Sequence, residues 1–252
     1  MPHATPASRP TCVVTQTHLT DLPPFNEIFD PVRPIEVDIG CGKGRFLLAH
    51  AAANRHLQFL GIERLLARVR SMDRKLQRMG LDNVHLIRLE AGYTLQRFIP
   101  AHAVSRFYLL FPDPWPKRRH HKRRLFDAAF RSLIWSRLIP EGEIQIATDH
   151  LDYFADIQRQ LANDPRFDPV PAVERLPEEQ TNFEQLFRTK GYPIGACGFR
   201  ARPAAAIDPE RLARVEAEEQ AEAEAATRNR SDDTDDADDA DGEEEEASTL
   251  DL

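Results

Sequence analysis

An alternation of short apolar runs with amphipathic stretches limits most what this chain can fold into. Runs of strand length stand at 34–39, 57–62, 84–89, 107–111 and 143–148. Runs this short and this apolar suit strands buried on both faces. Helical spacing fills the intervals, at Arg45–Asn54, about 64–79, Thr94–Phe98, about 124–138 and Tyr153–Ala162. In the second of these, Leu65, Leu66, Val69, Met72, Leu76 and Met79 recur every three or four residues before Gly80. Strands alternating with helices predict an α/β fold, a mostly parallel, doubly wound sheet with helices on both faces. Pro140-Glu141-Gly142 is expected to be a turn and 163–180 a loop. A helix is expected to start in Thr181–Glu184, and a last strand to cover Ala196–Arg200.

Charge divides the chain. The formal net charge is −8, but residues 208–252 hold 19 acids against four arginines, a net of −15. The remainder carries +7. A basic body with an acidic tail points to nucleic acid as the body's partner. Three regions follow: a Pro- and Thr-rich flexible arm at 1–30, ordered against the body only near Leu22–Phe29; a domain at 31–203; and an acidic, largely disordered tail at 204–252. The first part of the tail is a marginal helix, and the Asp/Glu run after it lacks the apolar residues a core needs. Such a tail could compete with RNA for the basic face. Three scattered cysteines, Cys12, Cys41 and Cys197, form no disulfide framework and suit a reducing compartment. No apolar run approaches the ~18 residues of a membrane span, so no membrane partner is expected and the chain is read as cytoplasmic. Monomer and homodimer stay open.

Asp38-x-Gly40-x-Gly42-x-Gly44 lies between the first strand and its helix. The glycines permit a tight turn and let a ligand approach the backbone at the helix start. Their spacing differs from the Gly-x-Gly-x-x-Gly dinucleotide fingerprint, and no P-loop Lys-Ser/Thr follows. Glu63 ends the second strand, where a carboxylate can receive two ribose hydroxyls. Glu90 ends the third, at the wall of an adenine pocket. Acids at 38, 63 and 90 suit a ligand bearing a sulfonium and an ammonium better than one bearing a pyrophosphate.

The fourth strand runs into Pro112-Asp113-Pro114-Trp115-Pro116, a stiff, extended loop. Six cations follow within eight residues: Lys117, Arg118, Arg119, Lys122, Arg123 and Arg124. Asp113 and Trp115 beside such a cluster suggest a site for a base whose phosphates are held nearby. His120 and His121 lie among them without the Cys, His or Asp partners of a metal site, so no metal is expected. Trp135, inside a helix, is expected to pack. Asp149, after the fifth strand, would serve as a helix cap on local chemistry alone.

These motifs resemble the bacterial tRNA (guanine-N7-)-methyltransferases over roughly residues 34–200. The resemblance rests on Asp38–Gly44, Gly61-Ile62-Glu63, Phe111–Lys117 with its basic follow-on, Ala147-Thr148-Asp149 and Thr181–Glu184. It implies a Rossmann-like class I methyltransferase fold, S-adenosyl-L-methionine as cofactor, and tRNA as substrate, methylated on one variable-loop guanosine. By position, Asp38, Glu63, Glu90 and Asp113 look like cofactor-contacting acids, with Gly40, Gly42 and Gly44 at the turn. Asp113 also looks like the catalytic position. Lys117, Asp149, Thr181, Asn182, Phe183 and Glu184 look like RNA-substrate contacts, with Trp115 as a stacking face. Glu90 stands where the family usually has Asp, and Asn182 where Lys is usual. Two rival readings are a nucleotide-dependent oxidoreductase, disfavoured by the glycine spacing and the basic loop, and a non-catalytic RNA-binding protein on the same fold. The intact turn and strand-end acids disfavour the second.

Overall fold

The computed structural model describes residues 13–14, 23–115, 117, 120 and 124–232. The chain divides into two units, 1–212 and 213–252. The first is built on an eight-stranded sheet in the order β1-β4-β3-β2-β5-β6-β8-β7. Its strands are β1 (Val13–Val14), β2 (Ile35–Ile39), β3 (Gln58–Ile62), β4 (Val84–Ile87), β5 (Val104–Leu110), β6 (Leu138–Thr148), β7 (Phe167–Val170) and β8 (Gly195–Ala201). Pairing is parallel from β1 through β6, and antiparallel between β6 and β8 and between β8 and β7. Every residue of β2 and β3 is buried, as central strands covered on both faces must be.

The expected alternation is present, with shifted boundaries. The helices are α1 (Phe25–Ile28), α2 (Arg45–Ala53), α3 (Leu66–Met79), α4 (Ala91–Arg97), α5 (Ala128–Arg137), α6 (Leu151–Asn163), α7 (Asn182–Thr189) and α8 (Pro209–Asp232). α5 begins four residues later than the apolar spacing suggested, because Asp127 caps it by accepting from the Phe130 N–H at 2.8 Å. α3 ends at Gly80, whose φ of 58° places it in the left-handed region that favours glycine at a helix end.

Two expectations need correction. The span 163–180 is not all loop: β7 lies inside it, at the sheet edge, where Pro169 is tolerated because no neighbour requires its missing N–H. Pro140–Gly142 does not separate two elements. It is a bulge within β6, where the pairing slips from Val104–Leu138 to Arg106–Glu143 and Glu141 takes a φ of 65°.

Alternate residues of the central strands face two layers. Val37, Ile39, Phe107, Leu109, Ile144 and Ile146 join the main core, with Phe130 and Ile134 of α5 and Tyr153 and Ile157 of α6. Trp135 packs against this core and donates to the Arg202 carbonyl at 3.1 Å, as a packing residue would. Behind β3, the helices α2 and α3 close a second core through Leu47, Leu48, Val69 and Met72. From the N-terminal arm, Phe29 enters the main core and the Phe25 ring meets Phe98 at 5.5 Å. Toward the C terminus, α8 gives the acidic region a helix to Asp232; residues 233–252 lie outside the described ones.

The chain from Pro171 to Val173 crosses β6 and β8, and the Val173 N–H donates to Gln145 Oε1 at 2.9 Å. A methyl group on Gly198 would stand 2.8 Å from the Pro171 carbonyl oxygen and 2.6 Å from Gln145 Nε2. Gly198→Ala should therefore destabilise the protein by about 1–3 kcal/mol through overpacking. The measurement is a lowered urea midpoint at unchanged m-value; an unchanged midpoint contradicts it.

Candidate active site

Because β2 to β6 run parallel, every loop leaving their carboxyl ends lies on one edge of the sheet. Strand order reverses between β2 and β5, whose neighbours lie on opposite sides, and open α/β sheets bind ligands at such a point. The five loops carry the expected residues in spatial order: Glu90, Glu63, the glycine turn, Asp113 with Trp115, and Asp149.

The glycine turn is held from the side. Gly40, Gly42 and Gly44 all have positive φ, at 72°, 57° and 75°. The Gly40 and Cys41 N–H groups donate to the Ile62 carbonyl at 2.9 and 3.0 Å. Glu63 bridges two elements: Oε2 accepts from Gly42 N–H at 3.0 Å and Oε1 from Leu65 N–H at 2.9 Å, with Arg68 at 3.4 Å. A carboxylate has about four acceptor positions, so Glu63 keeps capacity for hydroxyl donors while fixing the turn. That bridging role was not apparent from its place at a strand end.

Asp38 differs from its neighbours. It is 4% exposed, and its carboxyl, unlike its sheet-paired backbone, accepts no hydrogen bond from a described side chain or backbone group. Burial pushes its carboxyl up to about 7; His50 and Arg175 pull it down and Glu63 adds to the rise. Glu36, two residues earlier on the same face, is fully partnered. It receives the Tyr108 hydroxyl at 3.0 Å, lies 3.0 Å from His50 Nε2 and pairs with Arg106 at 3.3 Å. His50 Nδ1 meets Glu179 at 2.8 Å. Burial alone would lower the His50 pKa, but the hydrogen bonds to Glu36 and Glu179 outweigh it and hold it above 6.5.

Glu90 is exposed, past the end of β4, and caps α4 by accepting from Gly92 and Tyr93 N–H at 2.9 and 2.7 Å. The loop after β5 contains two non-glycine residues in the left-handed region, Phe111 (φ 55°) and Trp115 (φ 43°). Each such conformation costs of order 1–3 kcal/mol and persists only where its surroundings impose it. Here Phe111 N–H is tied to the Ala147 carbonyl at 2.7 Å, and Arg124 Nε to the Pro114 carbonyl at 2.9 Å. Asp113 and Lys117 are exposed and Trp115 half-buried, its ring edge-on to His120 at 5.9 Å. Arg124 is not a free phosphate-holding cation: it lies over the Tyr153 ring at 4.6 Å and 4.0 Å from Asp156, pinning the loop to α6. Pro116, Arg118, Arg119, His121, Lys122 and Arg123 lie outside the described residues.

Asp149 is half-buried and does not cap α6; His150 does, accepting from Tyr153 N–H at 3.2 Å. Thr181 caps α7 through the Glu184 N–H at 3.0 Å. Glu184 is fully buried, between Arg175 at 2.7 Å and Arg188 at 2.9 Å. Both therefore serve the local fold, while Asn182 and Phe183 are exposed. The Phe187 ring, 6.1 Å from Phe183 and 5.8 Å from Phe111, brings α7 to the loop after β5. On the other side, Arg45 donates to the Gln180 and Pro177 carbonyls at 3.0 and 3.3 Å, tying the approach to α7 to the start of α2. Arg45, His50 and Glu179 carry no local signal, since their partners are distant in sequence.

A family model described as "Putative methyltransferase" matches residues 32–197. A tRNA (guanine-N(7)-)-methyltransferase of Halorhodospira halophila is 34% identical over 181 residues, covering 70% of this chain and 78% of that protein. The chain belongs to the tRNA (guanine-N7-)-methyltransferase family. Its Geobacillus member is 34% identical over 71% of this chain and 83% of its own length. The Nocardia farcinica member is 40% identical, but over 52% of this chain and about half (49%) of its own length. Among solved structures, the 16S rRNA methyltransferase KamB aligns with a TM-score of 0.54 at 13% identity, over 71% of this chain and 93% of that one. At that identity the likeness is one of fold.

The family's cofactor is S-adenosylmethionine, and the donor set fits it: glycines that leave backbone open, and a buried carboxyl in no ion pair with a described residue. Asp38 should release its proton when a cationic ligand binds beside it. Affinity for S-adenosylmethionine should then weaken by up to about tenfold per pH unit below 7 and level off above it. Calorimetry of the wild type and Asp38→Asn is the check; a pH-independent wild-type affinity contradicts the assignment.

The ligand-free fold should also weaken with rising pH. Folded Asp38 keeps its proton to about 7 whereas the unfolded chain releases it near 3.8, so its contribution falls across that window. His50 adds stability that is full below 6.5 and lost as pH rises through its raised value. A lower Tm at pH 8.5 than at pH 6, with a smaller drop in His50→Gln, is the expected thermal-melt result.

Proposed function

We propose that this protein transfers a methyl group from S-adenosylmethionine to N7 of a guanosine in the tRNA variable loop, in the cytoplasm. One observation carries the reading beyond family membership. A left-handed, doubly pinned loop presents Asp113 and Trp115 at the sheet's reversal point, next to a glycine turn flanked by an unpartnered carboxyl.

Guanine N7 has a lone pair and no proton, so no general base is needed. The cofactor supplies an electrophilic methyl group on a sulfonium. What the chain must supply is position, and fixed geometry is worth several orders of magnitude in rate. Gly40, Gly42, Gly44 and Glu63 hold the cofactor's polar groups, and Asp38 accepts its positive end. Glu90 lines the outer wall. Asp113, exposed at the loop tip, accepts hydrogen bonds from the guanine Watson–Crick edge, and Trp115 offers a face to the extruded base. The product base is cationic, so Asp113 also stabilises charge as it develops. Lys117 contacts phosphate; Asp149, Asn182 and Phe183 line the substrate side, with Thr181 and Glu184 shaping that wall from beneath.

Unmodified tRNA incubated with labelled S-adenosylmethionine should yield N7-methylguanosine on nucleoside analysis. Asp113→Asn should lower kcat by about 10²-fold or more, with tRNA affinity within a few-fold of wild type. Near-normal turnover in that variant would falsify the orienting role.

A further inference from the structure

Helix α3 carries a strongly one-signed surface that the proposed chemistry does not use. From Arg68 to Arg78 it holds five cations, Arg68, Arg70, Arg74, Lys75 and Arg78, against one acid, Asp73. At 3.6 residues per turn the five fall within one sector about 160° wide, and Asp73 falls outside it. Asp73 is further occupied by Gln77, at 3.1 Å.

The sector has a definite place. Its inner flank adjoins the glycine turn, where Lys75 Nζ donates to the Lys43 carbonyl at 3.0 Å and Met72 lies beneath Gly44. Arg68 reaches Glu63. The outer flank is a ridge of Arg70, Arg74 and Arg78, spaced four residues apart over about 12 Å. All three are exposed, and Arg74 and Arg78 line an open depression with Gln77. None of the three forms an ion pair with a described residue, whereas Arg106, Arg131, Arg166, Arg175 and Arg200 all do.

Like charges four residues apart destabilise a helix. Arg70 with Arg74 and Arg74 with Arg78 repeat that arrangement twice, and Asp73 bonds Gln77 rather than any of the three. A solvated helix face is ordinarily mixed in sign, so this one is suited to an external polyanion.

We propose that the Arg70–Arg74–Arg78 ridge is a second tRNA-docking surface, which grips backbone phosphates beyond the nucleotide held in the crevice. This rests on the function proposed above, since that activity requires tRNA beside the glycine turn. The contacts are to phosphate, so they add affinity and orientation without sequence preference.

The test is the triple variant Arg70→Gln, Arg74→Gln, Arg78→Gln in the full chain, with the corresponding triple Lys variant as control. All three side chains are exposed, so folding should survive; circular dichroism and unchanged S-adenosylmethionine affinity verify that. tRNA binding is followed by fluorescence anisotropy across a salt series. The Gln variant should lose about two to three units of log–log salt slope and bind at least about tenfold more weakly at 100 mM salt. Its KM for tRNA should rise in parallel with kcat within about twofold, and the Lys variant should bind within a few-fold of wild type. An unchanged slope and affinity overturn the proposal. So does unchanged tRNA binding accompanied by greater protease sensitivity of residues 232–246, which would assign the ridge to the chain's own acidic tail. A wild type that binds tRNA through the ridge yet methylates none of it refutes the functional reading and leaves this surface standing.

Discussion

Parallel pairing of β2 through β6 is the constraint on which the site depends. Parallel strands cannot be joined by hairpins, so each must be followed by a crossover that returns the chain to the same end. All the strand-to-helix loops consequently collect on one edge. The reversal between β2 and β5 then opens a crevice between the two loops with the least ordinary backbone, one with three left-handed glycines and one with left-handed Phe111 and Trp115. Hydrogen bonds from neighbouring elements hold both loops, so the strained conformations belong to the scaffold rather than to the ligand.

The second organising theme is how β2 handles two buried carboxylates on the same face. Glu36 is compensated by Tyr108, His50 and Arg106, and through His50 it reaches Glu179 on the approach to α7. Asp38 has no such direct partners; His50 and Arg175 offset burial only in part, and its pKa is raised. A buried ionised group without a direct partner is expensive, so Asp38 holds its proton up to about pH 7, and a cation arriving beside it favours the ionised form. Two residues of separation thus divide a structural acid from one suited to a ligand. The same network ties α2 to the 175–181 segment, so the glycine turn and the substrate-side wall share a support.

Much of this was legible from local pattern. Apolar runs located the central strands to within a few residues, and the glycine spacing located the turn. The Pro-rich block located the loop after β5. Boundaries moved where a specific interaction intervened, as when Asp127 set the start of α5. β7 escaped notice because a four-residue edge strand containing Asp168 and Pro169 has neither alternation nor an apolar run. Thr181 caps α7 locally, Glu184 has a role in the fold that depends on Arg175 and Arg188, and Arg124 holds the loop rather than standing free.

The sequence by itself determined the order of elements, the left-handed turn and the residue types available at each strand end, because these follow from sterics and periodicity within a few residues. Tertiary structure decided which acids remain unpartnered, which cations are already engaged and which face of α3 is left basic. Those properties depend on desolvation and on partners as many as 135 residues away, as in the Arg45–Gln180 bond. No local pattern encodes them.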